Sequence, residues 1–334
     1  MIKKIEIDGF KNISELEMQL TPLTIITGQN STGKSSVLQS VLLMQRMAEA
    51  YPFYAEYINL DFQSARNKYR NAKSIDIKFT TDKGICSIEW TEDHKTVSAY
   101  DNMPEIEKNL FYLSANRTGA ENLAANNQGN LISGSKGEVL FSTLEREKSQ
   151  PVATELARYP ESLTLNSQVN YWLSYILGIP MEISVERRPT QDVEIRYKSD
   201  DIPGILPTQL GAGVSYLAKI LIICLRSQKD DVIMMENPEI HLYPLAQSRL
   251  AEFLTYVAAS GRQLIIETHS NDLITKIRHE VFKGKIPAED VTVIYKGSVT
   301  EQFKELYLNR NGHFTTDFPE TFFDATLREM LEMD

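Results

Sequence analysis

Gly28-Gln29-Asn30-Ser31-Thr32-Gly33-Lys34-Ser35 matches the pattern G-x-x-x-x-G-K-[ST] at every position. The stretch follows an apolar segment typical of a short buried strand, residues 23–27, and precedes residues 36–48, whose apolar side chains share one helical face. Glycines in such a loop let backbone N–H groups surround phosphates at the positive end of the helix. Lys34 is expected to reach the β- and γ-phosphates, and Ser35 to hold Mg²⁺. The sequence therefore predicts that a nucleoside triphosphate and Mg²⁺ bind at Gly28, Gln29, Asn30, Ser31, Thr32, Gly33, Lys34, Ser35 and Ser36.

The composition is that of an acidic globular protein. Of the 334 residues, 42% are hydrophobic, which is enough for a sizeable core, and the formal net charge is -10 at pH 7. This charge argues against an extended basic surface for nucleic acid. We interpret the local basic run at Arg66, Lys68, Arg70 and Lys73 as a solvated loop that could still contact phosphates.

Cysteine content and hydropathy indicate an intracellular setting. Cys86 and Cys224 are isolated among apolar neighbours, so we expect neither a disulfide framework nor a zinc site. The first residues lack a long apolar core, and no window approaches ~18 uninterrupted apolar residues. We therefore expect a cytoplasmic protein without membrane insertion.

The order of predicted elements indicates an α/β fold. Strand patterns fall at residues 2–9 and 12–20, and an antiparallel meander is predicted at 74–79, 84–90 and 96–99. After residue 211, helices and strands alternate regularly, which implies a parallel sheet. We predict a single domain over residues 1–334, with a β-rich N-terminal lobe and a parallel core sheet flanked by helices. Its expected parts are a nucleotide-binding core at 1–50 and 205–297, an inserted β-meander and helical lobe at 51–204, and a C-terminal extension at 298–334.

A second apolar strand ends in carboxylates, in Val232-Ile233-Met234-Met235-Glu236-Asn237-Pro238-Glu239. Carboxylates at the end of a buried strand are unfavourable unless a cation or a donor faces them. Because a phosphate loop is also present, we expect Glu236 to bind Mg²⁺ directly or through water, beside Ser35. A buried strand without a metal role is the alternative.

A third strand ends in a histidine, in Ile265-Ile266-Glu267-Thr268-His269-Ser270. A histidine at that place can hydrogen-bond a γ-phosphate or an attacking water. Capping of the following helix is the alternative role for His269.

Leu210-Gly211-Ala212-Gly213-Val214-Ser215 opens a helix with two glycines and a serine. Taken alone, this pattern fits ordinary helix capping. Together with the other motifs, it predicts a phosphate-binding helix start. Gly211, Gly213 and Ser215 are then expected to contact a nucleotide held by a second subunit.

These four motifs, in this order, resemble the ABC-type P-loop ATPases, a superfamily that includes transporter motors and the SMC and RecF-like DNA-repair proteins. Asn237-Pro238-Glu239-Ile240-His241-Leu242-Tyr243-Pro244 and Glu267-Thr268-His269-Ser270-Asn271-Asp272-Leu273 are similar to the OLD-like and PtuA-like AAA ATPases of bacterial anti-phage defence systems. The stretches Phe111-Tyr112-Leu113-Ser114-Ala115-Asn116-Arg117 and Phe318-Pro319-Glu320-Thr321-Phe322-Phe323-Asp324 also resemble that branch. The resemblance covers residues 1–50 and 205–297.

The resemblance implies a role for each motif. Residues 28–36 would form the Walker A loop, Glu236 would be the Walker B acid, residues 211–215 the signature motif and His269 the switch histidine. Gln63 would occupy the Q-loop position and join Ser35 and Glu236 at the metal. ATP and Mg²⁺ are the implied cofactors, and a head-to-tail dimer or higher oligomer is the implied assembly.

The chain departs from the superfamily pattern at the expected catalytic acid. Where Asp-Glu is usual, this chain has Glu236-Asn237, and an asparagine cannot accept a proton from the attacking water. Glu239, His269 or Glu267 could take over that role, and Glu236, Glu239 and His269 form our predicted catalytic set. The alternative is slow hydrolysis by a protein that works as an ATP-dependent clamp.

A second departure concerns the effector. OLD-like nucleases carry a metal-dependent nuclease domain after the ATPase, whereas only residues 298–334 follow the core here, without an acidic cluster for a two-metal site. We therefore expect a regulatory ATPase that controls a separate effector, a nuclease or another toxin, in anti-phage defence. The alternatives are a RecF-type clamp that binds DNA, the nucleotide-binding subunit of a transporter, and a small P-loop kinase.

Overall fold

A computed structural model of the chain describes residues 1–48, 60–125, 127, 131–190 and 192–316. The strands in these residues are β1 (Ile2–Phe10), β2 (Ile13–Gln19), β3 (Leu23–Gly28), β4 (Ile75–Thr81), β5 (Gly84–Trp90), β6 (Lys95–Ser98), β7 (Leu110–Leu113), β8 (Leu123–Ala124), β9 (Glu182–Arg187), β10 (Val193–Ser199), β11 (Ile202–Ile205), β12 (Val232–Glu236), β13 (Gln263–Glu267), β14 (Val291–Lys296) and β15 (Lys304–Tyr307). The helices are α1 (Lys34–Met47), α2 (Phe62–Ala65), α3 (Leu140–Glu147), α4 (Leu165–Leu177), α5 (Ala212–Arg226), α6 (Pro244–Ala259) and α7 (Asn271–Phe282).

A six-stranded sheet forms the centre of the molecule, with the order β15-β14-β3-β13-β12-β7. The strands β14, β3, β13, β12 and β7 run parallel, and β15 pairs antiparallel with β14 at one edge. Every residue of β3, β7, β12, β13 and β14 is buried, as expected of parallel strands that are covered on both faces. The predicted α/β fold with a parallel core sheet is confirmed.

Different layers cover the two faces of this sheet. On one face, Ile26, Met234 and Ile265 pack with α1 and the N-terminal sheet. On the other face, Ile25 and Ile266 pack with helices α3 to α7. Because side chains alternate along a strand, each core strand contributes to both hydrophobic clusters. Because β3, β12 and β13 run parallel, they end at the same edge of the sheet, where the phosphate loop, Glu236 and Glu267 lie.

The N-terminal sheet has the order β2-β1-β4-β5-β6 and is antiparallel throughout. Along β1, the buried residues Ile5 and Ile7 alternate with less buried neighbours, which is typical of a sheet with one face toward the core. A smaller antiparallel sheet joins β8, β9, β10 and β11. This sheet packs against α3 and α4.

The topology differs in two places from the predicted inserted lobe at 51–204. The meander β4 to β6 extends the N-terminal sheet because β4 pairs with β1, and β7 forms an edge of the core sheet beside β12. The predicted extension at 298–334 supplies β15 to the core sheet. Residues 317–334, which include the family-like stretch at 318–324, lie outside the described residues. No helix within the described ranges is long and apolar enough to cross a membrane.

Candidate functional site

The phosphate loop joins the end of β3 to the start of α1 and can be built only with glycine at two positions. Gly28 has φ +132, and a Cβ there would lie 2.0 Å from the carbonyl oxygen of Lys296. Gly33 has φ +102 at the N-cap of α1, a conformation that side chains with a Cβ rarely adopt. The backbone N–H of Gln29 donates to the same Lys296 oxygen (3.1 Å), and the Thr32 hydroxyl donates to the Gln29 carbonyl (2.9 Å). Strand β14 thereby holds the loop in place.

Lys34 lies at the start of α1 and is almost fully buried. Its Nζ donates to the carbonyl oxygen of Gln29. Burial lowers the pKa of this ammonium, and the nearby charge of Glu267 opposes that effect. Lys34 is thus a desolvated cation within a glycine-rich loop, which is the arrangement that recognises phosphate.

Two carboxylates lie side by side at the ends of β12 and β13. Glu236 is the register partner of Glu267 in the parallel pairing of these strands. The Ser35 hydroxyl donates to Oε1 of Glu267 at 3.0 Å. Glu236 instead accepts hydrogen bonds from the Tyr112 hydroxyl (2.9 Å) and the Ala115 backbone N–H (3.1 Å). The Ser35 hydroxyl thus contacts Glu267 on the strand next to β12, and a Mg²⁺ site formed by Ser35 and Glu236 stays a prediction.

Glu267 has the chemistry of an incomplete cation site. Burial raises the pKa of its carboxyl to about 7, the charge of Glu236 adds to the increase, and Ser35 and Lys34 act against it. Its Oε2 is buried without a hydrogen-bond partner in the described part of the chain. Hydroxyl and carboxylate oxygens are the ligands that Mg²⁺ prefers, so Ser35 and Glu267 fit such an ion. Among the described residues no cluster of three His, Cys, Asp or Glu side chains could hold a metal alone, so phosphate oxygens and water would complete the shell.

His269 lies two residues beyond β13, and Glu239 anchors its backbone. The His269 N–H donates to Oε1 of Glu239 at 3.0 Å. Burial lowers the pKa of the His269 imidazole, Lys34 lowers it further, and a hydrogen bond with the Gly28 backbone opposes both. A neutral imidazole near pH 7 can accept or donate a hydrogen bond to a phosphate or a water. Glu239 is thus placed behind His269, as a residue that positions it.

Asn237 has a strained backbone at the end of β12. Its φ is 43, in the left-handed region that asparagine tolerates better than most residues. Its N–H donates to the Glu267 carbonyl at 2.7 Å, and its Oδ1 is buried without a partner in the part of the chain that the structure describes. The side chain is an amide where a proton acceptor was expected.

These elements form a cleft of about 300 Å³ at the start of α1. Within the described residues, its lining includes Glu267 and His269 rather than Glu236 and Glu239. The full lining is Asn12, Asn30, Ser31, Gly33, Lys34, Ser35, Ser36, Glu267 and His269. The remaining predicted loop residues, Gly28, Gln29 and Thr32, are not part of this lining; Gly28 and Thr32 are buried, whereas Gln29 is exposed.

Gln63 is not brought to the cleft. It belongs to the short helix α2, where its amide nitrogen donates to Glu92 (2.8 Å) and its amide oxygen accepts from Arg66 (2.7 Å). Its predicted place at the metal is therefore not supported by the geometry, because these surface contacts direct the amide elsewhere.

The predicted signature motif is divided between buried and exposed residues. A Cβ at Gly213 would lie 2.5 Å from the His241 carbonyl oxygen, and Ser215 is only 1% exposed. Both residues are buried within their own protomer, and their contact with a partner's nucleotide stays a prediction. Gly211 is exposed at the N-cap of α5, and a Cβ there would meet nothing within 4 Å. Of the three, Gly211 is the residue open to a partner.

Arg117 is a buried residue of this region to which the sequence motifs assigned no role. Its guanidinium donates to the backbone carbonyls of Glu236 and Asn237, and it lies 5.9 Å from the ring centroid of Tyr216 on α5. Burial lowers the pKa of Arg117 to about 10, against the charges of Glu239 and Glu236. Arg117 therefore ties the end of β12 to the helix whose N-terminus is exposed. The sequence drew attention to it only as the last residue of the family-like stretch at 111–117, without indicating a role.

Comparison with protein families gives two matches along the chain. A family described as "AAA domain, putative AbiEii toxin, Type IV TA system" matches residues 89–275, and one described as "AAA ATPase domain" matches residues 1–126. Together the two matches span the phosphate loop and the three strand ends of the site.

Two curated relatives are nucleases by name. The Old nuclease of Escherichia phage P2 is 30% identical over 106 residues, which are 31% of this chain and 18% of that protein. The OLD nuclease of Thermus scotoductus (strain ATCC 700910 / SA-01) is 21% identical over 323 residues, covering 81% of this chain and 59% of that protein. The chain therefore spans less than two thirds of the length of either relative.

Solved structures of similar fold include SMC heads. An SmcHead bound to the C-winged helix domain of ScpA superposes with a TM-score of 0.57 at 11% identity, covering 92% of this chain and 98% of that one. An Smc head domain with an extended coiled coil, bound to the C-terminal domain of ScpA derived from Pyrococcus furiosus, gives 0.57 at 12% identity and covers 99% of both chains. At such low identity, the likeness shows a fold shared with SMC heads, which agrees with the predicted fold class.

Proposed function

We propose, from the premise that this chain belongs to the AAA domain family matched by residues 89–275, that it binds ATP and Mg²⁺ in the cleft at the start of α1. In this proposal the protein hydrolyses ATP slowly and acts as a clamp. Its ATP-bound dimer controls a separate effector, a nuclease or another toxin, in anti-phage defence.

The observation that carries ATP binding is the arrangement of groups around the cleft. Lys34 and the N-terminus of α1 offer positive charge to phosphates, and Ser35 and Glu267 offer oxygens to a divalent cation. His269 lines the same cleft and can contact the terminal phosphate. A bound Mg²⁺ would supply charge neutralisation for the phosphates.

Slow hydrolysis follows from the residues near the strand ends. Asn237 cannot take a proton from water, and Glu236 is occupied by Tyr112 and Ala115. Glu239 is bound to the His269 backbone rather than exposed in the cleft. Among the described residues at the end of β12, neither carboxylate is therefore placed to activate a water molecule. We expect ATP to persist in the cleft.

A dimer is supported by the exposed start of α5. Gly211 presents the N-terminus of this helix to the surface without a side chain, where it could approach a phosphate of a second subunit. Arg117 and Tyr216 connect this helix with the end of β12. Nucleotide in the cleft could thus be sensed at the subunit contact.

The defence role rests on the nuclease relatives and on the motifs shared with OLD-like ATPases. A second candidate function is an ATP-dependent DNA clamp, which the SMC-head likeness favours. The net charge of -10 makes general DNA affinity weaker. Salt-sensitive DNA binding that ATP stimulates would support the clamp on DNA, and its absence would favour control of a protein effector.

The test is calorimetric titration of ATP into the protein with Mg²⁺, together with steady-state hydrolysis. Wild type should bind ATP and hydrolyse it far more slowly than ~10 per second, the median of ordinary enzymes, so slowly that bound ATP survives for a minute. Lys34→Ala should lose binding, whereas Lys108→Ala, which removes an exposed lysine in an ion pair with Glu105, should not. ATP binding by Lys34→Ala at wild-type affinity would show that the cleft has been misassigned.

A further inference from the structure

We propose that Glu267, rather than Glu236, is the carboxylate that holds the divalent cation together with Ser35. This inference rests on the proposed ATP binding and names the metal-binding acid of the same cleft. It moves that acid from the end of β12 to the end of the adjacent strand β13.

The contact between the phosphate-loop helix and β13 is the first support. Ser35 is the second residue of α1, and its hydroxyl donates to Oε1 of Glu267 at 3.0 Å across 232 residues of sequence. Both side chains line the cleft, as do Lys34 and His269. A cation that accepts the Ser35 hydroxyl as a ligand therefore meets Glu267 as the nearest acid.

The second support is the unsatisfied oxygen of Glu267. Its Oε2 is buried and lacks a hydrogen-bond partner among residues the structure describes. A buried carboxylate oxygen left without a donor is costly unless something positive occupies the space beside it. Lys34 is directed to the Gln29 carbonyl, so it does not satisfy this oxygen.

Glu236 has the opposite character. Both of its oxygens are used within the protomer, Oε1 by the Tyr112 hydroxyl and Oε2 by the Ala115 N–H. Its backbone carbonyl accepts from Arg117. These bonds connect β12 with β7 and with the segment after it, so Glu236 is a structural residue that would have to break two hydrogen bonds to reach a metal.

The parallel register explains why the metal-binding carboxylate can lie on β13 instead of β12. Glu236 and Glu267 are paired residues at the same level of neighbouring strands, but only Glu267 lines the cleft. Asn237 follows β12 with an amide instead of an acid, and its N–H donates to the Glu267 backbone. The residues at the end of β12 therefore hold neighbouring segments together. The Glu267 carboxylate at the end of β13 remains available to a cation.

The experiment compares the Mg²⁺ requirement of ATP binding in Glu267→Gln and Glu236→Gln. Affinity for a fluorescent, non-hydrolysable ATP analogue is titrated over Mg²⁺ concentration, and Mn²⁺ bound in the same complex is counted by electron paramagnetic resonance. Glu267→Gln should raise the half-saturating metal concentration by about 10- to 100-fold. Glu236→Gln should leave it within about threefold of wild type.

Each outcome bears on one claim. An unchanged metal requirement in Glu267→Gln overturns the inference, and so does a large increase in Glu236→Gln alone. If Glu236→Gln fails to fold because it loses the Tyr112 and Ala115 bonds, Glu267→Gln decides by itself. Wild type that binds no nucleotide at any metal concentration would contradict the proposed ATP binding instead. Nucleotide binding by Glu267→Gln in excess chelator separates a metal defect from a lost cleft.

Discussion

Replacing Glu267 by glutamine should make the nucleotide-free protein more stable. The folded protein raises the pKa of this carboxyl from 4.5 to about 7 through burial and the charge of Glu236. Each pKa unit corresponds to about 1.4 kcal/mol, so the ionised carboxylate costs about 3 kcal/mol of unfolding free energy at pH 8. A glutamine avoids that cost and can still accept the hydrogen bond from Ser35.

The sign of the pH dependence follows from proton binding. Because the folded state holds the proton more tightly, the unfolding free energy of wild type falls as pH rises from 4.5 to about 7 and levels off above that. The advantage of Glu267→Gln should therefore grow from about 1 kcal/mol at pH 5 to about 3 kcal/mol at pH 8. Urea unfolding in chelator, without nucleotide, measures this difference at each pH.

A matched control is Glu107, which is equally buried but whose two carboxylate oxygens both accept hydrogen bonds. Its carboxylate accepts from the backbone N–H groups of Ile132, Ser133 and Gly134 and from the Ser133 hydroxyl. Glu107→Gln should destabilise the protein, since an amide nitrogen would face those donors. If Glu267→Gln does not increase the unfolding free energy, or increases it equally at pH 5 and pH 8, the reasoning about the paired carboxylates is refuted.

Three further substitutions test other parts of the site. Gly213→Ala should cost about 1–3 kcal/mol in urea unfolding, because its Cβ would lie 2.5 Å from the His241 carbonyl; a change near zero would contradict that packing. Gly211→Arg should leave ATP affinity intact but prevent the ATP-dependent dimer in light scattering, whereas Gly211→Ala should preserve it. A dimer that survives the arginine would exclude the start of α5 from the interface. Arg117→Met should cost about 1–3 kcal/mol, because the carbonyls that end β12 lose a buried donor; unchanged thermal unfolding would argue against this role.

Local sequence patterns predicted the fold well. The glycine-rich loop between an apolar strand and a helix fixes the unit formed by β3 and α1, and continuous apolar runs mark strands buried on both faces. Which strands pair is a non-local property. The sequence placed β4 to β6 in an inserted lobe, whereas pairing between β1 and β4 joins them to the N-terminal sheet.

The site was predictable only where its chemistry is local. Lys34 and Ser35 follow from the loop pattern, and His269 from its place after a strand. The Ser35 contact with Glu267 spans 232 residues and depends on which strand lies next to β3. Arg117 ends the family-like stretch at 111–117, but its role could not be predicted because its partners are backbone carbonyls more than a hundred residues away. Gln63 was selected by analogy of position, and its contacts with Glu92 and Arg66 direct it elsewhere.

The identity of the nucleotide on the protein tests the central claim most directly. Wild-type protein is mixed with Mg²⁺ and an equal amount of ATP, desalted after one minute, and the bound nucleotide is separated by chromatography. We predict that ATP is retained, largely unhydrolysed, and that Lys34→Ala retains none. Protein that leaves the column without nucleotide, or that carries only ADP, would contradict an ATP-holding clamp.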